Sequence, residues 1–166
     1  DWSSDVCSSD LTIIHGQVAV MWSKELSVQR IIVASDQIAA NAIQVSALKM
    51  AAPAGIKAAV LTIEKAAEIL NDPRSKDMRI LVISNNPEDL LRVAEKIEER
   101  PVLNVANYGR IGGGSLSSKI KLSETVYITE EDRDVFKKID GMGMEIIHQP
   151  LPGDSRQDFM KLMGGK

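Results

Sequence analysis

The sequence predicts an α/β protein, a single doubly wound, mainly parallel sheet with helices on both faces. Three observations carry that expectation. Runs such as Ile31-Ile32-Val33-Ala34 and Arg79-Ile80-Leu81-Val82-Ile83 are continuously apolar, as strands buried on both faces are. Helical patterns of about 10 to 15 residues separate them, which implies βαβ units and a covered sheet. The length of 166 residues, with 44% hydrophobic and 26% charged, fits one domain with a sizeable core.

The elements follow in order. Residues 1–10, Asp-Trp-Ser-Ser-Asp-Val-Cys-Ser-Ser-Asp, have neither period 2 nor period 3.6, so no strand is expected in them although the fold needs one there. The segment resembles translated sequencing-adapter sequence standing in for the true start. It is not a signal peptide, having no basic region and no apolar stretch. Residues 1–10 are therefore taken as non-native and 11–166 as the domain. Next, Val18, Met21, Trp22 and Leu26 recur at helical spacing. After the strand at residues 31–34 comes Asp36, then one helical stripe through Ile38, Ala42, Val45, Leu48 and Ala52, stopped by Pro53 and Gly55.

Ala58-Ala59-Val60-Leu61 reads as a strand and residues 64–70 as a helix running to the Asn71-Asp72-Pro73 turn. Following the strand at residues 79–83, Asn86-Pro87 opens a helix with a capping side chain and a proline at its first position; Leu90, Ala94 and Ile97 face inward and Pro101 ends it. Residues 102–106 are strand-like, and the Gly/Ser-rich residues 109–118 read as a mobile surface loop. Two short extended pieces, residues 119–122 and 125–128, precede a helix capped by Thr129 that carries Val135, Phe136 and Ile139 and stops at Gly141 and Gly143. Glu145-Ile146-Ile147-His148 is the last strand. Asp154 with Gln157 three residues on reads as a capping box opening a C-terminal helix with Phe159 and Leu162.

Composition excludes several function classes. A net charge of −3 without a Lys/Arg block gives no attraction to nucleic acid or anionic membrane. No apolar run approaches the roughly 20 residues needed to span a bilayer, and a single cysteine makes no internal disulfide, which fits the cytoplasm. The two histidines have no carboxylate or cysteine at metal-ligand spacing, so no metal site is expected. Gly109-Arg110-Ile111-Gly112-Gly113-Gly114 lacks dinucleotide-fingerprint spacing.

Ile13-Ile14-His15-Gly16-Gln17-Val18 is the stretch with chemistry in it. His15 stands between an apolar run and an amphipathic segment, hence near a helix N-terminus, where free N–H groups and the macrodipole favour an anion and a neutral imidazole. By periodicity alone a loop histidine is more often a polar surface group. In a doubly wound sheet, sites form beyond the carboxyl ends of the strands at a topological switch point, which is where a loop joining the first strand to the first helix would put His15. The Asp36 loop should open on the same edge. Thr62, Ser84 and Asn107 could hold phosphate oxygens, although turn or cap roles are the commoner fate of such residues. Arg110 and His148 read as a solvated arginine and a packed or surface side chain.

Ile14-His15-Gly16-Gln17-Val18 closely resembles the active-site loop of the IIB subunits of the mannose, fructose and sorbose family of the sugar phosphotransferase system. The resemblance continues in order through Leu48-Lys49-Met50-Ala51-Ala52-Pro53-Ala54-Gly55, residues 60–70, Asn104-Val105-Ala106-Asn107, residues 121–132 and Gln149-Pro150-Leu151-Pro152. It implies that His15 accepts a phosphoryl group, at Nδ1, from a histidine of a IIA protein or domain. His15 then passes it to a sugar hydroxyl presented by membrane subunits IIC and IID, with no metal or cofactor. Gly16 would allow close backbone approach, while Gln17 and the following N–H groups donate to phosphate oxygens. Asp10 would orient the imidazole, Ile14 would rim the docking surface, and Thr12 stands where the family carries arginine.

The resemblance places the protein in the cytoplasm, peripherally on the permease, and leaves room for a homodimer. Two other readings stay open. A receiver-type signalling domain would need an aspartate after the third strand and a lysine after the fifth, and residues 61–64 and 104–108 supply neither. A catalytically impaired paralogue acting as a binding or regulatory partner is compatible with Thr12.

Overall fold

The computed structural model describes residues 6–8, 17–50, 52, 54–84, 86–106, 108 and 119–164, the side chains of residues 6–8 and 17–20 excepted. Its apolar runs become strands because both faces of the sheet are covered. These strands are β2 (Arg30–Ala34), β3 (Lys57–Leu61) and β4 (Ile80–Ser84). Three shorter strands run parallel to them: β1 (Val6–Ser8), β5 (Leu103–Asn104) and β8 (Ile146–His148). Between β5 and β8, strands β6 (Ile120–Lys121) and β7 (Tyr127–Ile128) form a separate antiparallel pair. The order across the main sheet is β3-β2-β4-β1-β5-β8-β9, in which β9 (Gln157–Asp158) pairs antiparallel with β8. A doubly wound, mainly parallel sheet is therefore what the chain forms.

The helices sort by face. On β2, Ile31 and Val33 point into one core and Ile32 and Ala34 into the other. The first core receives Trp22 from α1 (Gln17–Glu25), Ile38 from α2 (Asp36–Ala39) and Leu48 from α3 (Ala42–Met50). The second receives α4 (Ile63–Asn71), α5 (Pro87–Lys96), α6 (Glu130–Gly141) and α7 (Phe159–Leu162). In the second core Phe136 and Phe159, both fully buried, meet edge to face with centroids 4.8 Å apart.

Local signals set the helix ends. Asn86 accepts from the N–H of Asp89 ahead of Pro87, as expected. Thr129 and Asp132 close a reciprocal capping box, Asp132 N–H on Thr129 Oγ1 and Thr129 N–H on Asp132 Oδ2. Gly143, at φ +90°, takes the left-handed conformation that ends the α6 turn.

Four expectations differ from the structure. Residues 1–10 do contain a strand: Val6–Ser8 lies between β4 and β5, held by backbone pairing on both sides that needs no side-chain period. The stripe after Asp36 is two helices, because Asn41 accepts from the N–H of Gln44 and caps a new start. Helix α5 stops at Lys96, well before Pro101, where Arg100 donates to the carbonyls of Ala94 and Ile97. Asp154 opens no helix. It accepts from Leu151 N–H, Gln157 belongs to β9, and Asp158 caps α7 by accepting from Met160 and Lys161. The loop at residues 109–118 lies outside the described residues.

Phe136→Ala removes the centre of the second core and should cost about 3–5 kcal/mol of stability. Chemical denaturation at neutral pH reads it as a lowered midpoint with two-state unfolding retained, whereas an unchanged midpoint would contradict the packing.

Candidate functional site at the carboxyl edge of the sheet

All six parallel strands end on one edge, at Ala34, Leu61, Ser84, Ser8, Asn104 and His148. The crossover from β1 to β2 runs through α1 on one face, and the crossover from β5 to β8 runs through α6 on the other. The winding thus reverses between β1 and β5, and a crevice opens at their carboxyl ends. Residues 9–16 leave β1 on this edge and lead into α1. Asp10, Thr12, Ile14, His15 and Gly16 lie in that connection, outside the described residues; Gln17 is the first residue of α1, its side chain likewise outside.

Long-range hydrogen bonds brace the crevice floor. Asn104 donates through Nδ2 to Gln149 O at 2.9 Å and accepts from Gln149 N–H at 3.1 Å. His148 is buried, its Nδ1 2.6 Å from Val105 O; a carbonyl only accepts, so this nitrogen carries a proton and the ring is a structural strut. Trp22 of α1 donates its indole N–H to Pro150 O at 3.0 Å, tying the helix that follows residues 9–16 to the loop after β8.

The turn after β5 is fixed by the small hairpin. Tyr108 N–H bonds Thr125 O, Tyr127 N–H bonds Tyr108 O, and the Thr125 hydroxyl donates to Ala106 O. Tyr108 also donates its hydroxyl to Asp132 Oδ1 at 3.1 Å. Burial raises its pKa well above the usual tyrosine range and the Asp132 carboxylate raises it further, so it remains a donor.

Asp36 stands two strands from β1. Its Oδ1 accepts from Ile63 N–H at 2.9 Å and its Oδ2 lies 3.0 Å from Arg92 Nη1, which is 3.8 Å from Asp89 Oδ1. The Ile63 N–H, with Arg92 beside it, holds Asp36 below the ordinary carboxylate range; burial raises Asp89. These three line a cleft of about 440 Å³ with Glu88, Glu131 and Asp132, a predominantly acidic rim. Thr62 caps α4 and the Ser84 hydroxyl donates to Asn86 O, so both serve as caps or turn residues here. Asn107 and Arg110 lie outside the described residues, among which no metal-binding cluster of His, Cys, Asp or Glu occurs.

Sequence reasoning missed the bracing by Asn104 and Trp22 and the Tyr108–Asp132 bond. An asparagine ending an apolar strand was the one local signal, since a buried amide requires partners.

A family model described as the PTS system sorbose subfamily IIB component matches residues 7–166. The chain is 34% identical over 155 residues to a probable phosphotransferase enzyme IIB component from Streptococcus pyogenes, covering 93% of this chain and 95% of that one. It is 32% identical to the mannose-specific EIIAB component of Escherichia coli over 93% of its own length, and spans about half, 46%, of that relative. The fold matches the crystal structure of the IIB domain of the sorbose permease from Klebsiella pneumoniae with a TM-score of 0.85 at 24% identity, covering 98% of each chain.

The two cleft carboxylates should respond oppositely to pH. Asp36, with its pKa lowered on folding, stabilises above its unfolded value, and that contribution disappears as pH falls through the folded value. Asp89, with its pKa raised, favours folding below its unfolded value and loses that as pH rises through the folded one. Melting curves from pH 3 to 7 should show Asp36→Asn flattening the acid-side loss of stability and Asp89→Asn steepening it; identical profiles for both variants and the parent would contradict the assignment.

Proposed function

This chain belongs to the sorbose subfamily of phosphotransferase-system IIB components, a family of sugar-transport phosphotransferases, and from that membership we propose that it is a cytoplasmic phosphocarrier acting through His15. A phosphorus–nitrogen bond forms at His15 Nδ1 as the one on the histidine of a IIA protein or domain breaks. A phosphorus–oxygen bond to the sugar then forms as the His15 bond breaks, the hydroxyl proton leaving with transfer. The sugar is presented by IIC and IID at the membrane, where the protein associates peripherally. Among the described residues no helix is long and apolar enough to cross a membrane.

The observation that supports this most is the position of His15-Gly16-Gln17 in the chain: the connection from β1 into α1, beside the winding reversal between β1 and β5. In-line transfer needs positioning and oxygen-facing donors more than covalent chemistry. Gly16 admits the phosphate to the backbone, and Gln17 with the first N–H groups of α1 donates to it. Asp10 orients the ring and Ile14 rims the docking surface. Asp36 supports the site at a distance, accepting from Ile63 N–H at the start of α4 and pairing with Arg92 in the middle of α5. On this reading residues 1–10 are non-native sequence whose Val6–Ser8 stands in for the domain's own first strand, and 11–166 are the native part of the IIB domain. Thr12, in place of the family's arginine, favours a second reading, an impaired paralogue kept as a binding or regulatory partner.

Incubation with phosphorylated IIA separates these readings. His15→Ala should abolish acid-labile label with an unchanged melting temperature. His148→Ala should keep the label yet melt lower, because Val105 O is left unpaired at a cost of about 1–3 kcal/mol. Label retained on the His15 variant would refute the phosphocarrier assignment.

Thr12→Arg should raise the single-turnover rate at saturating phosphorylated IIA, by up to about 10³-fold, the order of a positioned arginine in other phosphoryl-transfer enzymes. A rate equal to the parent's would remove the charge argument for the impaired reading.

A further inference from the structure

The connection that carries His15 has two ends, and one circuit of hydrogen bonds relates them. The chain leaves β1 at Ser8, passes through residues 9–16 and enters α1 at Gln17. Arg79 holds the far end of α1 at the amino edge of the sheet, donating from Nη1 to Leu26 O at 2.8 Å while its own carbonyl accepts from Gln29 N–H. Toward the carboxyl edge the buried Trp22 indole takes hold, its N–H reaching Pro150 O at 3.0 Å. That carbonyl sits in a braced turn. Pro150 and Pro152 fix their own φ, Gln149 donates from Nε2 to Pro152 O and Asp154 O, and Leu151 N–H bonds Asp154 Oδ2. Gln149 is bonded through both backbone groups to Asn104, the residue of β5 that pairs with Cys7 of β1. The path from β1 through residues 9–16 and α1 thus returns to β1 by way of Trp22, Pro150, Gln149 and Asn104.

We propose that Trp22 is a positioning residue for phosphoryl transfer, its indole N–H closing the circuit that sets the first turn of α1 against the end of β1. The inference rests on the phosphocarrier reading, in which His15 and the donors that begin at Gln17 lie between those two points. Trp22 is about 7.5 Å along the helix axis from Gln17, and its N–H is committed to Pro150 O, so it acts through the helix and not on the phosphate. The indole has two separable parts. Its apolar face packs in the first core with residues such as Ile31, Val33 and Leu81, and a phenylalanine keeps much of that burial while losing the donor. Strand β1 is only three residues long, so the circuit is a second support for a connection whose strand gives it little length to rest on. In-line transfer is sensitive to such support, because reacting groups misplaced by about 1 Å can lose about 10² in rate.

The test is single-turnover transfer from phosphorylated IIA to the full chain, with IIA varied to saturation at a temperature below every variant's melting transition. Trp22→Phe should lower the saturating rate at least about fivefold, the equivalent of one neutral hydrogen bond, and leave the half-saturating concentration of IIA at the parent's value. Leu48→Ala opens a cavity in the same core away from the circuit; it should melt lower and transfer at the parent's rate. Asn104→Ala breaks the circuit at its other end with Trp22 intact, which keeps the test open should Trp22→Phe not fold. It should slow the saturating rate likewise, and adding Trp22→Phe to it should slow it little further, since both open one circuit. A Trp22→Phe rate equal to the parent's would overturn the proposal, as would equal slowing by Leu48→Ala, multiplying effects of Trp22→Phe and Asn104→Ala, or a change confined to the half-saturating concentration. A parent that takes no label overturns the phosphocarrier reading and this inference together, whereas a labelled parent matched by Trp22→Phe overturns the positioning role alone.

Discussion

Everything at the carboxyl edge depends on how β1 is paired. Three residues, Val6–Ser8, take backbone hydrogen bonds from β4 on one side and β5 on the other. A parallel strand in that position must leave at the edge where its neighbours leave, and right-handed crossovers then send its helix to the opposite face from theirs. The two cores record this, with α1, α2 and α3 on one face and α4, α5 and α6 on the other. The reversal opens the crevice between β1 and β5, so the backbone pairing of a very short strand fixes where residues 9–16 emerge. Its side chains contribute no recognisable pattern to that outcome.

This explains which parts of the fold were legible in the sequence. Strands β2 and β4 are buried on both faces along nearly their whole length, which leaves only aliphatic residues acceptable and makes the run readable. Helix starts with a side-chain acceptor at the right offset, at Asn86 and Thr129, were equally plain. Strand β1 was not, because a strand held from both sides by main-chain bonds tolerates cysteine and serine. Nor was the split between α2 and α3: Ile38, Val45 and Leu48 keep helical spacing across it, while Asn41 stops one ladder and caps the next. At the C-terminus the pair Asp154 and Gln157 has capping-box spacing, but antiparallel pairing with β8 claims Gln157 and leaves the cap to Asp158.

The candidate site divides the same way. The His15-Gly16-Gln17 motif is local and stands out in the sequence. What braces the crevice is distant along the chain, since Asn104 reaches 45 residues to Gln149 and Trp22 reaches 128 to Pro150. Such contacts leave no periodic trace; their sign is a polar group in an apolar setting that must find a partner. His148 shows how that rule distinguishes the two histidines. Its ring is buried inside the sheet edge with Nδ1 committed to Val105 O.

Charge separates the two openings on the carboxyl edge. The cleft beside β2 and β4 is lined by Asp36, Glu88, Asp89, Glu131 and Asp132, and its one guanidinium, on Arg92, is already shared between Asp36 and Asp89. A phosphoryl group carrying close to two negative charges would meet an excess of carboxylates there. At the β1/β5 crevice the Asn104 amide at the end of β5 and the Trp22 indole of α1 are hydrogen-bonded internally, so the floor adds rigidity without negative charge. On the proposed function, anion binding there falls to the start of α1, the positive end of that helix. The acidic cleft, on that function, disfavours phosphate along one part of the edge and leaves it the side of the sheet where the winding reverses.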